Sequence, residues 1–350
     1  MPYLSVQINT NATKVPLHVN FFFRPLRDGF FSMEELFTNI SQNLPSNVNY
    51  SKVTLPFPEP TFSHRLNNAL CVKRKAGDIN HITGDVNYIA FGLPQKRTIL
   101  TIHDIDSFRQ SSKVKNKIIK YGWLQWPASR VAAVTVISNS TKQQLINYIN
   151  IDHNKIHVIP NPVATAFEFT EQKFNNTKPR ILHLGTKENK NLERLIEAIS
   201  GITCHLHIIG KLTGNQASLL KQHSILYTNA HNLEFSHIVE EYKKADVISF
   251  VSLYEGFGMP IIEAQATGRV VVTSNCSSMP EVGGDGALYV DPTDVNSIRS
   301  GIKKVIEHEG LRHKLIENGL ENVKRFSAKE IAAKYAALYE RVYQESQSSN

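Results

Sequence analysis

Cysteine is scarce. Cys71, Cys204 and Cys276 make an odd number, lie far apart and never form a C-x-x-C, so neither a disulfide framework nor a zinc site is suggested. A reducing compartment fits that usage best. The opening Met1-Pro2-Tyr3-Leu4-Ser5 lacks a basic n-region followed by a long apolar stretch, and no apolar run approaches the roughly 18 residues of a membrane span. These absences argue against a secreted or membrane-spanning chain and lead to the expectation of a cytoplasmic protein. Internal repeats are missing too, and the only biased tract is the polar tail Gln344 to Asn350.

What is present is a length of 350 residues with 41% hydrophobic content, which suits two packed domains better than one. Short apolar runs at Leu4 to Ile8, Ile99 to Ile102, Val131 to Ile137 and Ile156 to Ile159 alternate with polar helical segments, the pattern of parallel α/β construction. The pattern breaks at Pro160-Asn161-Pro162 and the polar stretch Thr170 to Pro179. A second series follows, with strands expected at Arg180 to Leu184, Cys204 to Ile209, Val247 to Val251, Val270 to Thr273 and Ala287 to Val290. Between the first two of these, Leu192, Leu195, Ile196 and Ile199 fall on one helical stripe. The expected division is 1–170 and 171–326, with residues 327–350 forming a last helix that starts at a Ser327-x-x-Glu330 capping box and crosses back to the first domain.

The net charge of +8 lies wholly in the first half, where residues 1–170 carry 18 Lys/Arg against 10 Asp/Glu. Lys113, Lys115, Lys117 and Lys120 interleave with Val114, Ile118, Ile119, Trp123 and Trp126 as a basic, partly apolar helix. That surface suits anionic lipid or a phosphate-bearing acceptor, and equally a solvated lysine face over an ordinary core stripe. No nucleic-acid reader module accompanies the charge, so nucleic acid is not an expected partner.

The most informative stretch is Glu255-Gly256-Phe257-Gly258-Met259-Pro260, which joins an apolar strand to a helix carrying Glu263 and stopping at Gly268. Proline suits the first helical turn because its missing N–H would have no partner there. Glycines let backbone approach a ligand, and a helix start offers free N–H groups and a positive dipole end to an anion such as a sugar diphosphate. A second strand–turn–helix, Gly185-Thr186-Lys187-Glu188-Asn189-Lys190-Asn191, places Lys187 and Lys190 at another helix start, where a cation would offset the charge of a leaving diphosphate. In the first half, His103 and Asp104 follow the strand Ile99 to Ile102.

Glu255 and Glu263, eight positions apart around the glycine loop, resemble the E-x7-E signature of family 4 retaining glycosyltransferases. Ser277-Ser278-Met279-Pro280-Glu281-Val282 and Gly286-Ala287-Leu288-Tyr289-Val290-Asp291-Pro292 extend the likeness. The resemblance implies the GT-B fold, two Rossmann-like doubly wound domains facing a cleft, the first binding acceptor and the second a nucleotide sugar. It implies Glu255 and His103 beside the transferred sugar and Glu263 on the nucleotide ribose. Gly185, Lys187, Lys190, Gly256, Phe257, Gly258, Met259 and Pro260 would bind the rest of the donor. The turn carrying Lys187 departs from the family: Lys190-Asn191 matches its Lys-Asn, but the turn is a residue shorter and an earlier arginine has no counterpart. The family's N-terminal Gly-Gly loop is also absent; Arg24 to Ser32 resembles the variant loop of some bacterial surface-polysaccharide transferases, with Gly29 and Ser32 as candidates for phosphate or acceptor, although Ser32 equally suits a plain helix cap.

The implied activity is transfer of a hexose from a nucleoside diphosphate sugar to a glycan or lipid-linked saccharide in bacterial surface-polysaccharide synthesis, with no metal or cofactor, at the inner face of the membrane. Asp104-Ile105-Asp106 is formally an Asp-x-Asp, but nothing else supplies hard oxygen ligands at useful spacing. Two rivals share the two-lobed architecture: a sugar-nucleotide 2-epimerase, which needs no acceptor, and a ligand-binding protein without chemistry.

Overall fold

A computed structural model of the chain describes residues 16–25, 32–57, 61–105 and 113–348. The strand expected at Leu4 to Ile8, together with Gly29 and Asp106, lies outside them, as does the side chain of Ser32. The first sheet holds β1 (Leu17–Phe23), β2 (Val48–Thr54), β3 (Ile79–Ile82), β4 (Thr98–Ile102), β5 (Ala133–Val136) and β6 (Ile156–Val158), ordered β2-β1-β3-β4-β5-β6. The second holds β7 (Arg180–Leu184), β8 (His205–Ile209), β9 (Tyr227–Ala230), β10 (Val247–Phe250), β11 (Val270–Ser274) and β12 (Leu288–Val290), ordered β12-β11-β10-β7-β8-β9. Every neighbouring pair is parallel, as the alternation of apolar runs and helices requires.

The strand order positions the site. In the second sheet β7 and β10 are neighbours, yet the chain leaves them toward opposite edges. Their following loops therefore diverge and open a crevice at the carboxyl ends of the strands, where open α/β sheets bind ligands. In the first sheet the same reversal falls between β1 and β3, and β4, which is followed directly by His103, lies next to β3.

Each sheet is covered by helices. The helix Leu192–Ile199 buries the four residues of its expected stripe, Leu192, Leu195, Ile196 and Ile199. The expected basic helix is segmented: an α-helix at Lys113–Ile118, a π-helical stretch at Ile119–Gln125 and a short α-helix at Trp126–Ser129. Side chains four apart therefore do not stay on one face across it. Pro160 to Phe167 leads from β6 past the cleft, and the polar stretch 170–179 packs on the second lobe, where Asn175 and Arg180 donate backbone N–H groups to Asp246 at 3.0 and 2.7 Å.

The last helix, Ala328–Ser348, starts where Ser327 Oγ accepts the Glu330 N–H at 3.3 Å, one half of the expected capping box. It returns to the first lobe and buries Tyr335, Leu338, Tyr339 and Val342 against Val19, Phe21, Ile79 and Ile99. A buried polar chain fixes its register: His81 bonds Tyr339 through Nδ1 and Thr101 through Nε2, both at 2.7 Å, and Thr101 bonds Thr135 at 2.6 Å. Burial lowers the His81 pKa to about 3, so the ring is neutral in this network. Tyr339→Phe leaves His81 Nδ1 without its partner and is expected to destabilise the protein by about 1–3 kcal/mol in chemical denaturation; an unchanged midpoint would show that the chain does not hold the helix.

Candidate active site

Between the lobes lies a cleft of about 850 Å³, a volume suited to one organic ligand. Of the residues singled out in the sequence, His103, Lys190, Glu255, Gly256, Phe257, Gly258, Met259, Pro260 and Glu263 all line it. The first-lobe wall comes from His103, Asp104 and the helix Ser32–Gln42, which presents Met33, Glu35, Asn39 and Gln42. Gly185 and Lys187 are not part of the lining. Gly185 adopts a φ of +92°, and a Cβ there would come within 2.8 Å of Lys190 Cγ, so its role is to let the lysine lie flat against the turn. Lys187 is exposed on that turn.

The loop after β10 is held by its carbonyls. Ser277 and Ser278 hydroxyls donate to the Glu255 carbonyl at 2.7 and 3.0 Å, and Ser278 also donates to the Phe257 carbonyl at 2.7 Å. The Gly256 carbonyl accepts from Ser138 and Thr141 of the first lobe at 2.7 and 3.0 Å. Among the described residues the N–H groups of Gly256, Phe257, Gly258 and Met259 have no protein acceptor. With Gly258 left-handed at φ +109° and the helix Met259–Ala266 starting directly after it, the loop presents donors at a positive dipole end.

Charge is concentrated beside that loop. Lys190 Nζ lies 2.6 Å from Glu255 Oε1 and 4.9 Å from the Phe250 ring centroid, with both ion-pair side chains mostly buried. The lysine is thus poised at the switch point, after β7, against a carboxylate placed after β10. Glu263 faces the cleft one turn into its helix and accepts a 2.5 Å hydrogen bond from the Tyr242 hydroxyl. Although Glu263 keeps some surface on the cleft side, desolvation of its carboxyl outweighs Tyr242 and Lys190 and raises its pKa to about 7. His103 Nε2 donates to the Thr83 carbonyl at 2.8 Å, which leaves Nδ1 as the lone-pair nitrogen. Burial holds its pKa below the usual value, with lesser opposing contributions from Thr83 and Asp85.

Two participants, Tyr242 and Ser138, escape sequence reading, and Arg24 is read there only as the start of the variant loop. Tyr242 belongs to the buried stripe of the helix Phe235–Lys244 and looks like core, yet it orients Glu263. Ser138 reads as the N-cap of the helix Asn139–Tyr148, and it is one: its Oγ accepts the Thr141 N–H at 3.0 Å. Nothing local shows that the same hydroxyl reaches Gly256, 118 positions away. Arg24, at the end of β1, pairs with Glu34 and Asp85 at 2.8 and 2.7 Å and braces the first lobe's switch point.

Residues 165–322 match the family model described as glycosyl transferases group 1, and residues 31–167 match the one described as glycosyltransferase family 4. The chain is 26% identical over 320 residues to an MMP α-(1→4)-mannosyltransferase of Mycolicibacterium hassiacum, covering 82% of this chain and 76% of that protein. It is 26% identical over 262 residues to the O-antigen chain mannosyltransferase B of Escherichia coli, covering 68% and 69%. Among solved structures, Anabaena Alr3699/HepE in complex with UDP and glucose superposes with a TM-score of 0.74 at 15% identity, covering 93% of this chain and 100% of the other. That likeness shows the shared fold, the GT-B arrangement.

The raised pKa of Glu263 has a measurable sign. An acid whose folded pKa lies above its unfolded value near 4.5 stabilises the fold relative to its ionised state only at low pH, and that contribution is lost as pH rises toward about 7. Glu263→Gln removes the cost of a buried carboxylate, so the melting temperature of the ligand-free variant is expected to gain on the parent between pH 5 and pH 8. A constant difference across that range would mean that the carboxyl titrates normally.

Proposed function

This chain belongs to glycosyltransferase family 4, and from that membership we propose that it transfers a hexose, with retention of anomeric configuration and without a metal ion, from a nucleoside diphosphate sugar to a hydroxyl of a glycan or lipid-linked saccharide in the synthesis of a surface polysaccharide. The observation that carries the reading is the meeting, in one cleft, of the unpaired Gly256–Met259 amides, Lys190 and two glutamates across from His103. An anionic diphosphate meets both N–H donors and a cation there, which is the electrostatic need when a nucleoside diphosphate departs. Glu263, set deeper along the same helix, takes the ribose hydroxyls. His103, whose Nδ1 can only accept, takes a hydroxyl of the transferred sugar. The acceptor oxygen attacks the anomeric carbon on the face that the diphosphate leaves, the bond to the leaving oxygen breaks, and the acceptor proton passes to the departing phosphate. Lys190 exchanges its partner Glu255 for phosphate as donor enters, and Glu255 turns to the sugar.

The relatives' names favour mannose as the sugar and O-antigen-like chains as the product, while the HepE complex with UDP and glucose supports a nucleotide sugar as donor. A thermal-shift panel of UDP-, GDP- and ADP-linked hexoses is expected to single out one base, since ligand at a hundred times its Kd stabilises a fold by about 2.7 kcal/mol. With that donor, Glu263→Ala is expected to weaken nucleotide binding and Glu255→Ala chiefly to lower kcat. A panel without response, intact activity in both variants, or conversion of donor with no acceptor present would overturn the assignment, and NMR showing an inverted anomeric centre would overturn its mechanistic half.

Peripheral contact with an anionic bilayer is part of the same reading. Among the described residues no helix is long and apolar enough to cross a membrane. Yet Ile118 and Trp126 are 67% and 57% exposed beside exposed Lys117, and the adjoining helix Phe62–Lys73 shows Phe62, Leu66 and Leu70 at 83%, 50% and 58%. Arg65 of that helix stacks 5.1 Å from the Trp123 ring, which joins the two segments into one apolar surface with basic residues Lys73, Arg74 and Lys75 at its end. Leu66→Glu combined with Trp126→Glu is expected to abolish sedimentation with phosphatidylglycerol vesicles; equal sedimentation of parent and variant would remove this surface from the proposal.

A further inference from the structure

Ser138, Thr141 and Glu281 do not line the cleft, yet they tie its two walls together. Glu281 sits on the short second-lobe helix Met279–Gly283 and gives both carboxylate oxygens to first-lobe Asn139. The Asn139 N–H donates at 3.0 and 2.8 Å and its Nδ2 at 3.0 Å. Asn139 opens the ten-residue helix Asn139–Tyr148, so a negative charge there also meets a positive dipole end. Arg325 donates to the Glu281 carbonyl and, at 3.3 Å, to that of Val282, which steadies the short helix from behind.

The same segment grips the donor loop from its other end. Ser277 accepts the Glu255 N–H at 3.2 Å and returns its own proton to the Glu255 carbonyl at 2.7 Å, while Ser278 holds the carbonyls of Glu255 and Phe257. Residues 277–281 therefore form a bracket with one end on the loop and the other on the first lobe. A second tie is direct: Ser138 and Thr141, both fully buried, donate to the Gly256 carbonyl. A Cβ on Gly256 would lie 2.8 Å from the His103 carbonyl oxygen, so the loop is pressed against the backbone of the residue it must face.

We infer that Glu281, with Ser138 and Thr141, is a positioning residue for the reaction: it acts through Asn139 and the Ser277–Ser278 turn to set Glu255 against His103. The inference rests on the proposed transfer for its kinetic consequence but not for its structural one. Reacting groups contributed by separate bodies lose rate steeply with small misplacement. The donor's contacts with Lys190 and Glu263 lie within the second lobe and do not depend on the tie.

Glu281→Ala tests this. Hydrogen–deuterium exchange of the ligand-free protein is expected to rise about tenfold or more at the hydrogen-bonded amides of Asn139, Thr141 and Glu255, since local opening becomes easier there. With whichever of UDP-, GDP- or ADP-hexose the donor panel selects, kcat is expected to fall about tenfold while donor KM stays within about twofold. Glu281→Gln, which keeps a carbonyl acceptor, should lie between, and the melting temperature should move little. Unchanged exchange in both segments, or a loss carried mainly by donor KM, overturns the inference. Because the exchange measurement needs no substrate, a protein inert toward every donor would refute the proposed transfer and still leave the tie decided.

Discussion

Gly256 has no room for a side chain: a Cβ there would lie 2.8 Å from the His103 carbonyl oxygen. Its missing side chain lets the loop after β10 lie against the His103 carbonyl, and its own carbonyl takes hydroxyl protons from Ser138 and Thr141. Each lobe builds its own core on its own sheet, so neither core alone sets the distance between His103 and Glu255. That distance is set where the lobes touch. The apolar part of the contact includes first-lobe Ile137 and Phe167 packed among second-lobe residues such as Phe257 and Ile261, and the last helix packed back on the first lobe. Directional hydrogen bonds add alignment at the cleft itself: the loop accepts them through carbonyls turned toward the first lobe and the Ser277–Ser278 turn, which leaves its N–H groups for a ligand.

The charges in the cleft follow from the same geometry. Lys190 has two glutamates within electrostatic reach, but only Glu255 forms an ion pair with it, because Glu263 is held by Tyr242. The two carboxyls therefore differ in character at neutral pH: one is an anion paired with a cation, the other a group near its midpoint whose ionisation is opposed by burial. A ligand that brings hydroxyl donors to Glu263 favours its anion, and one that brings a diphosphate to Lys190 releases Glu255 from its pair. In the proposed reaction one nucleotide sugar would meet both glutamates at once, the diphosphate at Lys190 beside Glu255 and the ribose at Glu263.

How much of this was legible in the sequence divides along burial. Interior strands of a parallel sheet are covered on both faces, so β4, β7, β10 and β11 read as dense apolar runs broken by only one or two polar residues each and are found within a residue of their ends. Edge strands divide: β6 and β12 keep apolar residues at both ends and are found within a residue, whereas β9 reads Tyr-Thr-Asn-Ala and β2 alternates Asn, Ser and Lys into its run, and neither carries a comparable signal. The missed β1 and β3 are buried, but β3 is the four-residue Ile-Asn-His-Ile, whose polar pair finds partners only from other elements. The cleft divides the same way. Lys190, Glu255 and Glu263 stand at strand–helix turns that sequence marks with glycine and proline. Tyr242 and Ser138 are ordinary residues, and Glu281, although in a stretch that carries the family likeness, has no role that spacing reveals; their partners lie 21, 118 and 142 positions away.

The tautomer of His103 narrows the chemistry further. A carbonyl oxygen can only accept, so the 2.8 Å contact with Thr83 fixes the proton on Nε2 and leaves Nδ1 as an acceptor. Burial opposes a second proton, and Arg24, itself held by Glu34 and Asp85, adds to that opposition. A neutral ring tied in this way can orient a sugar hydroxyl, but it has no proton to give to a leaving oxygen. In the proposed transfer the proton that reaches the departing phosphate therefore comes from the attacking hydroxyl rather than from His103. That is the route a same-face displacement offers, since nucleophile and leaving group then lie on one side of the sugar, with the unpaired amides of Gly256 to Met259 placed to take up the charge that develops between them.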